Sequence, residues 1–208
     1  MGLRESKKLQ TRQAIAAAGM RLFVLRGFDH ATVGEIAREA GVSEKTVFNY
    51  FPTKEDIFFD EVPERLEALR DAVRAREPGQ SLVGAMHDLH AKQCGRLASP
   101  GFAQFARAIA ESPALQAKET EVMAQFTDHL AETIREELRL HPADAQIAAN
   151  LLMSVHWQFF RNARAHALAG RSGPTATRHL RRELERAYRL LEHGLGALER
   201  DPEAATAG

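Results

Sequence analysis

Residues 32–51, TVGEIAREAGVSEKTVFNYF, constrain this chain more than any other stretch. Val33, Ile36, Ala37 and Ala40 recur at the three- and four-residue spacing of one helix face. Thr32 stands where that helix needs an N-cap, and Glu35 three residues later completes a capping box. Gly41 supplies the positive φ of a tight turn, Val42 plugs the core and Ser43 caps a second short helix. Val47 and Phe51 face inward from that helix, and Ala37 is small where the two must cross. The layout is a helix-turn-helix. Its second helix leaves Glu44, Lys45, Thr46, Asn49 and Tyr50 outward, at one end and along one side. A major groove about 12 Å wide admits such a helix. Any three-helix corner that ends a helix on glycine is the structural alternative.

The rest of the chain also predicts an all-α fold. Ile15, Ala18, Leu22 and Leu25 set an amphipathic helix over 10–26 that Gly27 ends. Pro and Gly divide the remainder into helices over 54–75, 81–98, 102–111, 114–140, 143–169 and 175–200, with a frayed tail beyond. Proline at 63 predicts a kink in the helix that follows Lys54, or the start of a new helix. With 44% hydrophobic and 27% charged residues the chain is globular and not disordered. The boundary is placed after Pro52, giving a DNA-binding domain over 1–52 and a second helical domain over 53–208.

Charge supports that division. The chain carries 28 basic and 28 acidic residues, yet residues 1–54 hold nine basic against five acidic ones. A basic N-terminal segment suits contact with nucleic acid. Arg4, Lys7, Lys8 and Arg12 form a candidate arm for the DNA backbone or minor groove, with ordinary solvated charge as the other reading for Arg4 and Lys7. Cys94 is the single cysteine, so no intrachain disulfide is expected. Neither a signal peptide nor a run of about 18 apolar residues is present, and a cytoplasmic protein without a membrane partner is expected.

Residues 12–57 resemble the DNA-binding segment of the tetracycline-repressor (TetR) family of bacterial regulators. The resemblance runs through Arg12, Ile15, Ala18, Leu22, Phe23, Gly27, Phe28, Thr32, Val33, Ile36, Ala37 and Ala40. It continues through Gly41, Val42, Ser43, Thr46, Val47, Tyr50, Phe51, Lys54, Glu55 and Ile57. It implies a homodimer whose first three helices bind double-stranded operator DNA, and whose later helices sense a small-molecule effector and dimerise. Carried over residue by residue, it assigns Thr32 and Lys54 to phosphates at two helix N-termini, and Thr46 and Tyr50 to phosphate through their hydroxyls. Glu44 and Lys45 lead the recognition helix after Ser43 and are the candidates for base readout. For Glu44 a first-turn acid that stabilises the helix dipole is the other reading. Phe48 stands where the family often has tyrosine, which leaves apolar contact with sugar or a thymine methyl.

The second domain shows no nucleophile–base pair, phosphate loop or cofactor motif, and no enzyme is expected. The charge-free run 145–160 is apolar around most of its circumference and so predicts neighbours on several sides. His156, Trp157 and Phe160 from it, with Phe102, Phe105, Met123 and Phe126, are the candidate walls of an effector cavity. Leu184, Leu191 and Leu195 belong to a leucine stripe on the last helix, a candidate dimer interface or a buried face of the monomer. His87, His90 and Cys94 share one helix face, where a metal site or a polar rim with a buried thiol are the two readings. The function expected is a ligand-responsive repressor released from a palindromic operator by its effector. A helical small-molecule-binding protein or enzyme without operator binding is the alternative.

Overall fold

The computed structural model describes residues 2–194, and among these ten helices occur and no strand. The first is α1 (Leu3–Arg26), followed by α2 (Val33–Glu39), α3 (Glu44–Tyr50) and α4 (Lys54–Phe58). Then come α5 (Val62–Arg74), α6 (Leu82–Leu97) and α7 (Pro100–Glu111). The series ends with α8 (Pro113–Leu138), α9 (Pro142–Leu168) and α10 (Gly173–His193). The all-α expectation holds.

Two compact units emerge. One takes Met1–Pro63 with Arg107–Thr120, the other Glu64–Ala106 with Glu121–Gly208. A boundary after residue 52 therefore falls inside the first unit. Ser112 Oγ donates to Asp29 Oδ1 at 2.8 Å and Lys118 pairs with Asp56 at 3.0 Å, which ties residues 107–120 into that unit.

In the first unit α1 packs on α2 and α4, and α2 on α3. Ile15, Ala18, Leu22, Phe23, Ile36, Val47, Phe51 and Ile57 are buried. Phe23, Phe28 and Phe58 add a ring cluster with centroids 4.9–6.0 Å apart. A glycine decides how close α4 can come: a Cβ built on Gly19 would stand 2.5 Å from Ile57 Cγ2. α1 begins at Leu3, so Lys7, Lys8 and Arg12 lie on a helix, not on an extended arm. The helix expected over 54–75 is two helices: α4 stops at Phe58, a turn follows with Val62 N–H donating to Phe59 O at 3.0 Å, and Pro63 sits in the first turn of α5. At that place proline forfeits no intrahelical hydrogen bond, so the new-helix reading is the one observed.

The second unit is built on α6, α9 and α10, which pack on one another. Met86, Cys94, Leu97, Leu152, Phe159, Leu180 and Leu184 fill its core.

Candidate nucleic-acid interface

The helix-turn-helix forms as its capping chemistry dictates. Thr32 Oγ1 accepts from Glu35 N–H at 3.2 Å, and Glu35 Oε2 accepts from Thr32 N–H at 3.1 Å and from its hydroxyl at 3.0 Å. These bonds, with Arg26 beside it, hold the Glu35 carboxyl below its usual range. Gly41 takes φ +68°, and Val42 N–H donates to Ala37 O at 2.9 Å to close the turn. Ser43 Oγ then caps α3 by accepting from Thr46 N–H at 3.1 Å, with the two hydroxyl oxygens 2.8 Å apart.

α3 buries Val47 and its C-cap Phe51, each 1% exposed, and so fixes what points outward. Glu44, Lys45, Phe48 and Asn49 are exposed, while Thr46 and Tyr50 are half-buried. Phe48 stays 49% exposed, a large apolar side chain without a packing duty. Glu44 leans back on α2: a Cβ built on Gly34 would meet its Oε1 at 2.7 Å. That places the carboxylate against the first turn of α2, where the free N–H ends favour an anion. Lys45 is exposed in the first turn of α3 and leads the helix outward.

Two expected phosphate ligands are occupied inside the chain. Lys54 Nζ donates to Phe28 O at 2.9 Å and Ala31 O at 3.1 Å, lies 3.5 Å from Asp29 O, and sits 4.3 Å above the Phe28 ring. The carbonyls of the loop after α1 take its donors in this structure. The Thr32 hydroxyl is likewise committed to its box with Glu35, whose negative charge already lies at that helix end. Arg12 is structural too. It donates to Tyr50 O at 3.3 Å, pairs with Asp60 at 2.6 Å and stacks 4.4 Å over Phe51, bracing α3 from α1.

Residues 15–60 match the family model of the bacterial regulatory proteins, tetR family. Over those residues the chain is similar to that family. TcmR of Streptomyces glaucescens, an HTH-type transcriptional regulator, is 30% identical over 96 residues, 46% of this chain and 42% of that protein. LuxR of Vibrio harveyi, another, is 34% identical over 95 residues, 41% of this chain and 46% of that protein. The match thus spans less than half the length of these curated relatives. Among solved structures, the TetR-family repressor FadR of Thermus thermophilus, in complex with lauroyl-CoA, is 27% identical with a TM-score of 0.57. That likeness covers 88% of this chain and 94% of FadR. NalD of Pseudomonas aeruginosa, a repressor of a multidrug efflux pump, shares the fold at 22% identity and a TM-score of 0.57, over 86% of this chain and 96% of NalD.

In the second unit the expected effector residues fall partly together. His156 lies 4.8 Å from Phe160 and 6.0 Å from Phe126 between ring centroids. Phe102 stacks on Phe105 at 5.7 Å, and the Arg65 guanidinium stands 5.8 Å from both Phe105 and Phe160, linking the two groups. Met123 is half-buried, one turn before Phe126 on α8. Trp157 lies under the Arg164 guanidinium at 5.7 Å. The sequence reading missed Arg65 and Tyr188. The four-residue step from Leu184 to Tyr188 carried the signal for the second.

His90 is not poised for a metal, because both its ring nitrogens are engaged, by Tyr188 and His156. Cys94 Sγ lies 3.6 Å from His90 O, and burial pushes its thiol pKa up. Among the described residues no three His, Cys, Asp or Glu side chains group as a metal ion requires. Leu184 is 1% exposed within the chain's own core, as the buried-face reading of that stripe expects. Leu191 is half-buried, and Leu195 lies outside the described residues. No described helix is long and apolar enough to cross a membrane.

Proposed function

We propose that this chain is an effector-responsive repressor that binds a palindromic DNA operator as a homodimer, with α3 in the major groove of each half-site. The observation that carries the reading is the outward face of α3. Lys45, Phe48 and Asn49 are exposed on a helix whose opposite side is locked into the core by Val47 and Phe51. Lys45 donates to guanine O6 or N7, Phe48 contacts sugar or a thymine methyl, and Asn49 reads a base edge or a phosphate. Thr46 and Tyr50 offer hydroxyls to the backbone. Glu44, drawn toward α2, orients the helix more than it reads bases.

Dimerisation through α9 supports two-site binding. Ile147, Leu151 and Leu168 are 58%, 50% and 51% exposed and fall within one face of that helix. Paired with a second copy, this stripe replaces the leucine stripe of α10 as the interface. One short recognition helix reads few base pairs, and two copies reach half-sites about one helical turn or more apart. The second unit holds the effector against Phe126, His156 and Phe160. The complex of Thermus thermophilus FadR with lauroyl-CoA supports a ligand that carries a long acyl chain in a helical bundle of this kind.

Selection of preferred sites from random duplex DNA tests the reading. A palindromic sequence should emerge, and Lys45→Ala should shift the preference by about 1–3 kcal/mol at one base pair per half-site. Failure to retain any duplex at low salt, or an unchanged preferred site in Lys45→Ala, refutes the assignment. Leu151→Glu should leave the chain folded and convert the dimer to a monomer on light scattering.

A further inference from the structure

Three polar side chains lie in the apolar interior of the second unit, each on a different helix. His90 on α6 is 0% exposed, His156 on α9 4% and Tyr188 on α10 3%. The Tyr188 hydroxyl oxygen is 2.6 Å from His90 Nδ1, and His90 Nε2 is 2.7 Å from His156 Nδ1. Phe159 lies 5.1 Å from the His90 ring, and Phe126 and Phe160 flank His156.

A neutral imidazole carries one N–H and one lone pair, so this chain has two possible proton arrangements. Suppose His156 donated from Nδ1. His90 would then donate from Nδ1 to the Tyr188 oxygen, and the phenolic proton would be stranded. Tyr188 has no other acceptor among the described residues, and an unpaired buried hydroxyl is costly. In the opposite arrangement Tyr188 donates to His90 Nδ1, and His90 donates from Nε2 to His156 Nδ1. Every proton within the chain is then used. His156 is left with its N–H on Nε2, which has no partner among the described residues. Both histidines stay neutral, since burial pulls His90 down to about 3 and holds His156 well below its ordinary value.

We propose that His156 Nε2–H is a hydrogen-bond donor that selects an apolar effector carrying a carbonyl oxygen, and that Tyr188 and His90 position it by fixing its tautomer. The proposal rests on the effector-responsive reading above and gives it a chemical class. The donor is neutral, Phe126 and Phe160 flank it, and the Arg65 guanidinium stands 5.8 Å from the Phe160 ring, so the surroundings reward an oxygen acceptor such as a ketone or ester on a ring- or chain-bearing molecule. A hydrocarbon of the same shape gains nothing from it. The relay also joins α6, α9 and α10, so occupation of Nε2 is felt on three helices at once.

Nitrogen-15 NMR of the histidine rings in the full-length protein provides the first test. Both His90 and His156 should carry the proton on Nε2, and an Nδ1–H tautomer at His156 overturns the proposal. The second test uses butyrophenone and butylbenzene, which differ by one carbonyl. The ketone should bind about tenfold more tightly, the worth of one hydrogen bond at a buried donor. His156→Phe should bring that ratio to about one, and Tyr188→Phe should lower it while allowing a mixture of His156 tautomers. A ketone that binds no better than the hydrocarbon overturns the proposal, as does a ratio unchanged in His156→Phe. Operator binding is measured on the same unmodified sample. Its failure refutes the regulator reading and leaves the tautomer and probe results standing.

Discussion

Acid should loosen the second unit well above the pH at which carboxylates take up protons. His90 is 0% exposed and its pKa is lowered to about 3, chiefly by burial and secondarily by His87. In the unfolded chain the same imidazole titrates near 6.5. The unfolded state therefore binds a proton that the folded state refuses, and stability rises with pH between those two values. The contribution is complete above about 6.5 and is lost progressively as pH falls toward 3. At pH 5 the unfolded histidine lies about 1.5 units below its pKa, which shifts the equilibrium by about 2 kcal/mol, a factor of about 30. His156 adds in the same direction, through burial first, then His90 and Arg65. Against a typical stability of about 5–15 kcal/mol this is a large loss. Trp157, the single tryptophan, sits in this unit and reports its unfolding by fluorescence. The urea midpoint should fall between pH 7.5 and pH 5, while the His90 C2 proton shows no titration over that range. A flat midpoint, or a folded-state titration of His90 near 6.5, refutes the reasoning.

Gly19→Ala should destabilise the head although alanine is the better helix former. The gain of about 1 kcal/mol in propensity is outweighed by overpacking of about 1–3 kcal/mol against Ile57, and a raised melting temperature would contradict the contact. Lys54→Met should cost about 1.5–3 kcal/mol of stability by leaving the carbonyls of Phe28 and Ala31 without their charged donor, as measured by urea unfolding. It should leave the salt dependence of DNA binding by the folded protein unchanged. A slope reduced by about 0.9 would return Lys54 to a phosphate. Thr53→Ala should weaken the start of α4 by about 0.5–2 kcal/mol in thermal unfolding, because it removes the acceptor of Asp56 N–H. An unchanged melting temperature would deny the cap its part.

The head was legible because its determinants are local. Thr32 with Glu35, Gly41 and Ser43 act within three residues of their own positions, so the order of residues carries nearly all of that geometry. What the sequence hid is what depends on residues far along the chain. Lys54 has the spacing of a helix-terminal cation, but its use is decided by carbonyls 23 to 26 residues earlier, left open where Gly27 ends α1. The leucine stripe of α10 states correctly that a face is buried and cannot state by whom. α6 of the same chain packs on α10, and large apolar side chains left exposed lie on α9.

His90 shows the same limit from the other side. Its spacing with His87 and Cys94 marks one face of α6, a pattern equally suited to a metal or to packing. Two side chains, 66 and 98 residues away, settle it by claiming both ring nitrogens. Helical periodicity assigns residues to faces, and it is silent on which faces meet. The chemistry of a buried polar group is fixed only at that second step, because a lone pair or a proton needs a partner at about 3 Å and no pattern within one helix supplies it. The outward face of α3 escapes this limit because no distant helix claims it, so whatever the core does not take remains exposed.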